Sequence, residues 1–267
     1  MFWLNGQPAD SISLLDRSFQ YGDGGFTTVL TEHGKLCQWS YHKQRMQACL
    51  TALAIEQPDW QQVEQWMMQA ASLDSKAGLK LHISRGEGGR GYSPTQVSAA
   101  NVTISDFAYP AHYPQWHQQG ITLGVSQVKL GLNPLLAGHK HNNRLEQILV
   151  KADLENSGAM DGLVLDLNNH VIETSMANVF WRKDDQLYTP SLAMSGVAGV
   201  ARRVVLEFVQ SAGMSVAIGE YDLSHILDAD EVFITNSLLG AVPIRAIESH
   251  RFPIGTLTRR IQEMLAS

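Results

Sequence analysis

A two-domain α/β protein is the fold class this chain predicts, and three observations carry that reading. Runs that alternate apolar and polar residues are interleaved with runs of helical period along the whole length. One stretch, Ala108 to Pro114, carries two prolines that bar regular structure and stiffen the chain. Beyond it, short strand-like runs become more frequent. The expected boundaries are a small α/β domain over residues 1–110, a linker over 111–119 and a larger domain over 120–267 that carries Lys140.

The composition narrows the function classes. A chain of 267 residues with 44% hydrophobic content can fill a sizeable core. Its formal charge of -6 argues against a nucleic-acid partner, which needs basic surface to displace phosphate counterions. Cys37 and Cys49 are the only cysteines and have no metal-ligand spacing, so neither a disulfide framework nor a metal site is expected. The start, Met1 to Gly6, has no basic leader, and no run of eighteen apolar residues occurs. The expectation is a soluble, cytoplasmic protein with no membrane partner.

Taken in order, Met1 to Leu4 reads as a short strand turning at Asn5-Gly6, a pair that tolerates the positive φ of a tight hairpin. Asp16 to Gly25 is polar and glycine-dense and feeds the β-branched run Phe26 to Thr31. Such a loop either brings backbone close to a ligand or is a plain turn. From Trp39 the period is helical, with Met46, Leu50 and Leu53 on one stripe and His42 and Arg45 on the next. A second helix runs from about Trp60 to Ala71, with Asp59 placed to cap it and Gln62 three residues on. Leu79, Leu81 and Ile83 alternate with Lys80, His82 and Ser84, the pattern of a half-buried strand, and Asn101 to Phe107 returns as another.

In the second part, Ile121, Leu123 and Val125 resume the alternation. A loop then leads through Lys140, which stands between His139 and His141, into a helix with Leu145, Ile148, Leu149 and Ala152 on one face. Short strands follow at Gly162 to Leu167, Val171 to Glu173, Asn178 to Arg182 and Leu187 to Thr189, then a helix from about Val200 to Ser211. A strand from Glu231 to Thr235 and a helix from Thr256 to Leu265 complete the chain.

Three patterns bear on chemistry. Gly86, Gly88 and Gly91 satisfy GxGxxG after a strand, but Ser93-Pro94 follows where a phosphate-binding helix would have to begin, so the dinucleotide reading fails. A loop carrying Arg85 and Arg90 toward an anion, or an ordinary solvated loop, remains. Gly199-Val200 at a helix start and Thr235-Asn236-Ser237 after a strand have the form of anion sites, because free N–H groups and the helix dipole favour phosphate there. Arg45 offers the bidentate cation such a group prefers, or is an ordinary surface arginine.

Glu173 to Phe180, followed by Leu187 to Pro190 and by Gly196 to Arg202, resembles the extended signature of fold-type IV pyridoxal-phosphate enzymes. That family holds branched-chain aminotransferases, D-amino acid aminotransferases and aminodeoxychorismate lyases. Through Gln20 to Thr28, Arg85 to Tyr92, Ala108 to Tyr113 and Gly138 to Gln147, the chain is most similar to the lyase branch. Asn142 stands where that pattern leads us to expect leucine, which bears on local packing.

The resemblance implies a small α/β domain, a larger strand-rich pseudo-barrel domain and a homodimer. It implies pyridoxal 5'-phosphate as cofactor, held covalently by Lys140, with Glu173 at its pyridine nitrogen. Arg45, Asn178, Val200, Thr235, Asn236 and Ser237 would complete its binding. The implied reaction converts aminodeoxychorismate to 4-aminobenzoate and pyruvate, a step toward folate, with amino-group transfer from a D- or branched-chain amino acid as the alternative. Two substrate carboxylates call for cations, and Arg85, Arg90 and Lys129 are the candidates. Thr27, Thr28, Tyr92 and Tyr109 are candidates to line the pocket. His139 and His141 either tune Lys140 or serve packing and helix entry.

Overall fold

The computed structural model describes residues 1–266 and resolves the chain into two compact units. The first comprises Met1–Tyr109 together with His139–Asn143; the second comprises Pro110–Gly138 and the chain from Arg144 onward.

In the first unit the elements are β1 (Phe2–Leu4), β2 (Gln7–Pro8), α1 (Arg17–Tyr21), β3 (Gly24–Glu32), β4 (Lys35–Leu36), α2 (Trp39–Ala52), α3 (Trp60–Ala70), β5 (Ala77–Ser84) and β6 (Asn101–Ala108). Six strands pair antiparallel in the order β2-β1-β6-β5-β3-β4. Period-two alternation gives this sheet two unlike faces. Val29, Leu79, Leu81, Ile83, Val102 and Ile104 form a core with Met46 and Leu50 of α2 and Val63 and Met67 of α3. The opposite face carries Phe26, Thr28, Lys80, His82, Thr103 and Ser105, none of them fully buried. Register sets Thr28 opposite Lys80 and Phe26 opposite His82. On α3, Asp59 accepts from the backbone N–H groups of Gln61 and Gln62, as the sequence predicts. The reciprocal half of a capping box is absent, since the Gln62 side chain donates to Gln65 instead.

The second unit contains α4 (Tyr113–Gln119), β7 (Ile121–Val125), α5 (Leu145–Asn156), β8 (Gly162–Leu165), β9 (Val171–Thr174), β10 (Asn178–Lys183), β11 (Gln186–Pro190), α6 (Val200–Ser211), β12 (Val216–Gly219), α7 (Leu223–Leu227), β13 (Glu231–Asn236), β14 (Gly240–Ile247), β15 (His250–Arg251) and α8 (Thr256–Ala266). Its nine-stranded mixed sheet runs β12-β11-β10-β13-β14-β7-β8-β9, with β15 on β14. Helices α6 and α8 bury Val205, Val209, Leu257 and Ile261 against Phe180, Leu187 and Phe233, whose two rings stack 5.1 Å apart. The strand-rich character expected of this part is observed.

Two local expectations are corrected. The linker over 111–119 is largely helix α4, because Pro114 falls in the first turn, where its missing N–H would have had no helical partner. The Lys140 segment packs with the first unit, through hydrogen bonds to β3, although sequence position places it after the linker. On α5 the face of Leu145, Ile148, Leu149 and Ala152 is exposed, and Val150 and Leu154 are the buried pair. An apolar stripe normally faces its own core. Here the core of Leu130, Val164 and Ile172 takes the other side of the helix.

Candidate active site

Residues 139–143 form a short ladder against the start of β3. The Phe26 N–H donates to the Lys140 carbonyl at 2.9 Å, the Asn142 N–H donates to the Gly24 carbonyl at 2.9 Å, and Gly25 pairs with His141. A Cβ on Gly24 would lie 2.6 Å from Asn142 Nδ2, and one on Gly25 would lie 3.3 Å from the Lys140 carbonyl oxygen. Glycine at both positions is therefore what lets the lysine strand approach. With its backbone fixed in this way, the Lys140 ammonium sits 4.6 Å from the centre of the Phe26 ring.

Asn142, the departure from the family pattern, acquires a structural role. Its Nδ2 donates to Ser18 Oγ at 2.8 Å and lies 2.7 Å from His82 Nε2, which is itself 3.0 Å from Ser18 Oγ. An amide N–H needs an acceptor, so His82 is neutral with Nε2 unprotonated. Burial first, and then the nearby Lys80 ammonium, pushes His82 down to about 4, against an opposing pull from Asp16. Asp16 is fully buried and takes its own bonds from Ser84, Asn101 and the Ser18 N–H. The sequence reading missed Ser18 and His82. His82 falls in step with the polar positions of its strand, so no local pattern singles it out.

A second polar group lies on the core side of β3. Arg45 Nη2 donates to Thr27 Oγ1, which lies 2.6 Å from His42 Nδ1. Thr27 is wholly buried, so it positions Arg45 rather than lining a pocket. Burial and then the Arg45 charge push His42 well below its ordinary value.

The other substrate candidates divide. Arg85 is engaged in structure: its Nε and Nη2 form a bidentate pair with Asp23 at 2.7 and 3.1 Å, and Nη2 and Nη1 also donate to the carbonyls of Leu53 and Ala54. Two arginines, Arg85 and Arg17, therefore hold Asp23 below the usual carboxylate range despite its burial. Lys129 bonds Asn169 in the second unit. Arg90 and Tyr92 lie exposed in the glycine loop, where Tyr92 meets Tyr21 edge-on. Tyr109, with Lys76 over its ring, stands past the end of β6. That end pairs with Ala77, whereas Lys140 adjoins Phe26 near the opposite end of β3. Thr28 remains on the open face.

In the second unit, Glu173 on β9 is nearly buried and accepts from the Val197 N–H at 3.0 Å. Asn178 on β10 donates to the Val197 carbonyl at 2.8 Å and accepts from the Gly199 N–H at 3.1 Å. The turn from Gly196 to Gly199 is thus tied to both side chains. Gly196 has φ +82°, and a Cβ on Gly199 would lie 2.2 Å from Asn178 Oδ1. No side chain caps α6, so its first N–H groups, Val200 among them, are available to an anion, while the Val200 side chain is buried.

Of the expected turn at 235–237, Thr235 Oγ1 donates to the Gly240 carbonyl at 2.7 Å. Asn236 accepts from the Leu238 and Leu239 N–H groups and donates to the Met176 carbonyl. These two shape the turn, and Ser237 keeps a half-buried hydroxyl. Asp161, unnoticed in the sequence, accepts from Ser175 N and Oγ and so pins the same 175–177 loop. Burial pushes its carboxyl upward despite those bonds.

The first unit thus offers an amine at Lys140, and the second offers a buried carboxylate at Glu173 and an uncapped helix start at α6, donor types that suit an aldehyde-bearing pyridine phosphate. No cluster of metal-ligating side chains occurs among the described residues.

The amino-transferase class IV family model matches residues 24–247. The chain is 54% identical to aminodeoxychorismate lyase of Vibrio harveyi over 98% of each chain. It superposes on the crystal structure of 4-amino-4-deoxychorismate lyase from Pseudomonas aeruginosa with a TM-score of 0.94 at 36% identity, covering 99% of this chain and 98% of that one. The branched-chain amino acid aminotransferase of Escherichia coli, at 23% identity and TM-score 0.86, covers 98% of this chain and 92% of its own and shares the fold. The chain belongs to the amino-transferase class IV family.

Proposed function

We propose that the protein is a pyridoxal-phosphate-dependent lyase that converts aminodeoxychorismate to 4-aminobenzoate and pyruvate, a step toward folate. The observation that carries this reading is the 54% identity, sustained over 98% of both chains, to a relative of that name. Lys140 would hold the cofactor through Nζ, and Glu173 would face its pyridine nitrogen. Arg45, the α6 N–H groups and Ser237 would take its phosphate, with Asn178, Thr235 and Asn236 shaping those donors.

When bound, the cofactor supplies an electron sink for the charge left as a proton departs from the carbon bearing the substrate amine. Glu173 favours that sink, since a carboxylate beside the nitrogen keeps it protonated. Lys140, once the substrate amine has displaced it, is the base that takes the C4 proton onto Nζ. The C3–O bond of the substrate then breaks, the enolpyruvyl group leaves to become pyruvate, and the carbocycle becomes aromatic. Aromatisation favours elimination over reprotonation, which separates this reaction from amino-group transfer.

The exposed α5 stripe supports a homodimer. Leu145, Ile148 and Leu149 are 74%, 62% and 57% exposed, more apolar surface than one helix leaves open without a partner. Arg144, Lys151 and Glu155 border it with both signs of charge, as a self-complementary twofold contact requires. No described helix is long and apolar enough to cross a membrane, and both cysteines are free, which suits a cytoplasmic enzyme.

Purified protein with cofactor and aminodeoxychorismate should release 4-aminobenzoate and pyruvate without any oxo-acid acceptor. Amino-group transfer to 2-oxoglutarate with no aromatic product would establish an aminotransferase instead.

A further inference from the structure

Strands β3, β5 and β6 lay one row of side chains across the open face of the first sheet: Thr28 opposite Lys80, and Lys80 opposite Ser105. Directly opposed residues share a face, with Cβ atoms about 5 Å apart. The row therefore presents a hydroxyl, an ammonium and a hydroxyl side by side. Among the described residues, none of the three side chains has a hydrogen bond or ion pair within the chain, although Lys80 stands 4.7 Å from the centre of the Phe26 ring. That same ring carries the Lys140 ammonium at 4.6 Å. Two ammonium groups thus lie against one aromatic ring; the sequence already gives Lys140 a task and leaves Lys80 without one.

The neighbouring charges point the same way. Arg85 is paired with Asp23 and bonded to two carbonyls. Asp16, the acid that acts on neighbouring His82, is occupied by Ser84 and Asn101. His82, beside Lys80 on β5, is held neutral in its network with Ser18 and Asn142. Lys80 is left as a cation with two hydroxyl neighbours and no anion.

We propose that Thr28, Lys80 and Ser105 form a carboxylate-binding subsite that takes the ring carboxylate of the substrate. This rests on the lyase reading above. In that substrate the reacting amine and the ring carboxylate lie at opposite ends of one six-membered ring, so the carboxylate needs a cation other than Lys140, and Lys80 stands on the sheet face of the Phe26 ring that Lys140 approaches. The ammonium supplies the charge and the two hydroxyls donate to the carboxylate oxygens. An amino acid, whose carboxylate sits on the carbon that bears the amine, does not span that distance.

The test is Lys80→Met in the cofactor-loaded protein. KM for aminodeoxychorismate should rise about 10- to 100-fold, the loss expected for one charge-assisted contact, with kcat changed by less than about threefold. Equilibrium binding of 4-aminobenzoate should weaken by a similar factor while that of aniline, which lacks the carboxylate, stays unchanged. Lys80→Arg should restore most of the 4-aminobenzoate affinity. Added salt should raise KM of the wild type more than that of Lys80→Met. Should Lys80→Met fold poorly, the double variant Thr28→Val/Ser105→Ala should show the same preference change on a smaller scale. An active wild type whose KM and whose preference for 4-aminobenzoate over aniline both survive these changes would overturn the subsite. A wild type that releases no 4-aminobenzoate would overturn the lyase reading itself, a separate result.

Discussion

The two units prepare chemistry by different means. In the first, side chains are aimed by sheet register. The Lys140 ladder on β3 and the cross-strand row through Lys80 owe their directions to which residue opposes which. In the second, side chains serve mainly to shape backbone. Glu173 and Asn178 hold the turn from Gly196 to Gly199, and Asn236 and Asp161 hold the adjoining loops. A register-built arrangement tolerates a change that keeps side-chain chemistry. A backbone-built one tolerates only changes that leave the turn its space.

The largest effect should come from the first unit. Lys140→Ala should lower kcat/KM by at least about 10⁴-fold, since on the proposed reading it removes both the covalent tether and the base. Product release would measure the loss. The visible absorbance of lysine-bound cofactor should vanish while cofactor still binds; retained turnover would show that another lysine is the reactive one.

The second unit should break through backbone instead. Gly199→Ala places a methyl against Asn178 Oδ1 and should weaken cofactor binding by about tenfold, on the scale of a lost supporting contact. Titration of the apoprotein with pyridoxal phosphate measures this. Affinity equal to the wild type would mean that the start of α6 takes no part in holding it.

Next in size is the acid sensitivity of the His82 network. The folded value near 4 lies below the ordinary 6.5, so the unfolded chain binds more protons between those limits. Stability contributed by neutral His82 is therefore complete above about pH 6.5 and is lost as pH falls toward 4, by an amount on the order of 3 kcal/mol. His42, buried and also lowered, adds to the same slope. Denaturant unfolding of His82→Gln across that range should show a shallower pH dependence than wild type; an unchanged slope would place the titration elsewhere.

The smallest change concerns Asn142. Asn142→Leu alone leaves Ser18 and His82 without their donor and should cost about 1–3 kcal/mol. Combined with Ser18→Ala and His82→Val, the same leucine should recover most of that loss, because an apolar set replaces a polar set whole. Additive destabilisation across the three sites would show that the network is no unit.

Much of the machinery is local and therefore legible in sequence. The amine at Lys140, the acid at Glu173 and the glycine turn before α6 lie in contiguous motifs, and the strand alternation around Lys80 and the helix over Val200–Ser211 follow from period alone. Thr27 and Thr28 show where this stops. Alternation puts them on opposite faces, but only the packing of α2 and α3 decides that Thr27 goes inside and Thr28 stays open. The same limit leaves open which side of α5 meets the core, since a helix's apolar stripe does not by itself say what covers it.

Sequence by itself determined the family and most of the strands and helices, and nominated the reactive groups, because these depend on residue type and short-range spacing. Tertiary structure alone decided how the remaining charges are used. Arg85 meets Asp23 across 62 positions, and Asn142 reaches His82 across 60 and Ser18 across 124. Such pairings form only when the sheet closes, and no periodicity within one segment encodes them. They take Arg85 out of the list of substrate cations and leave Lys80 standing on the open face.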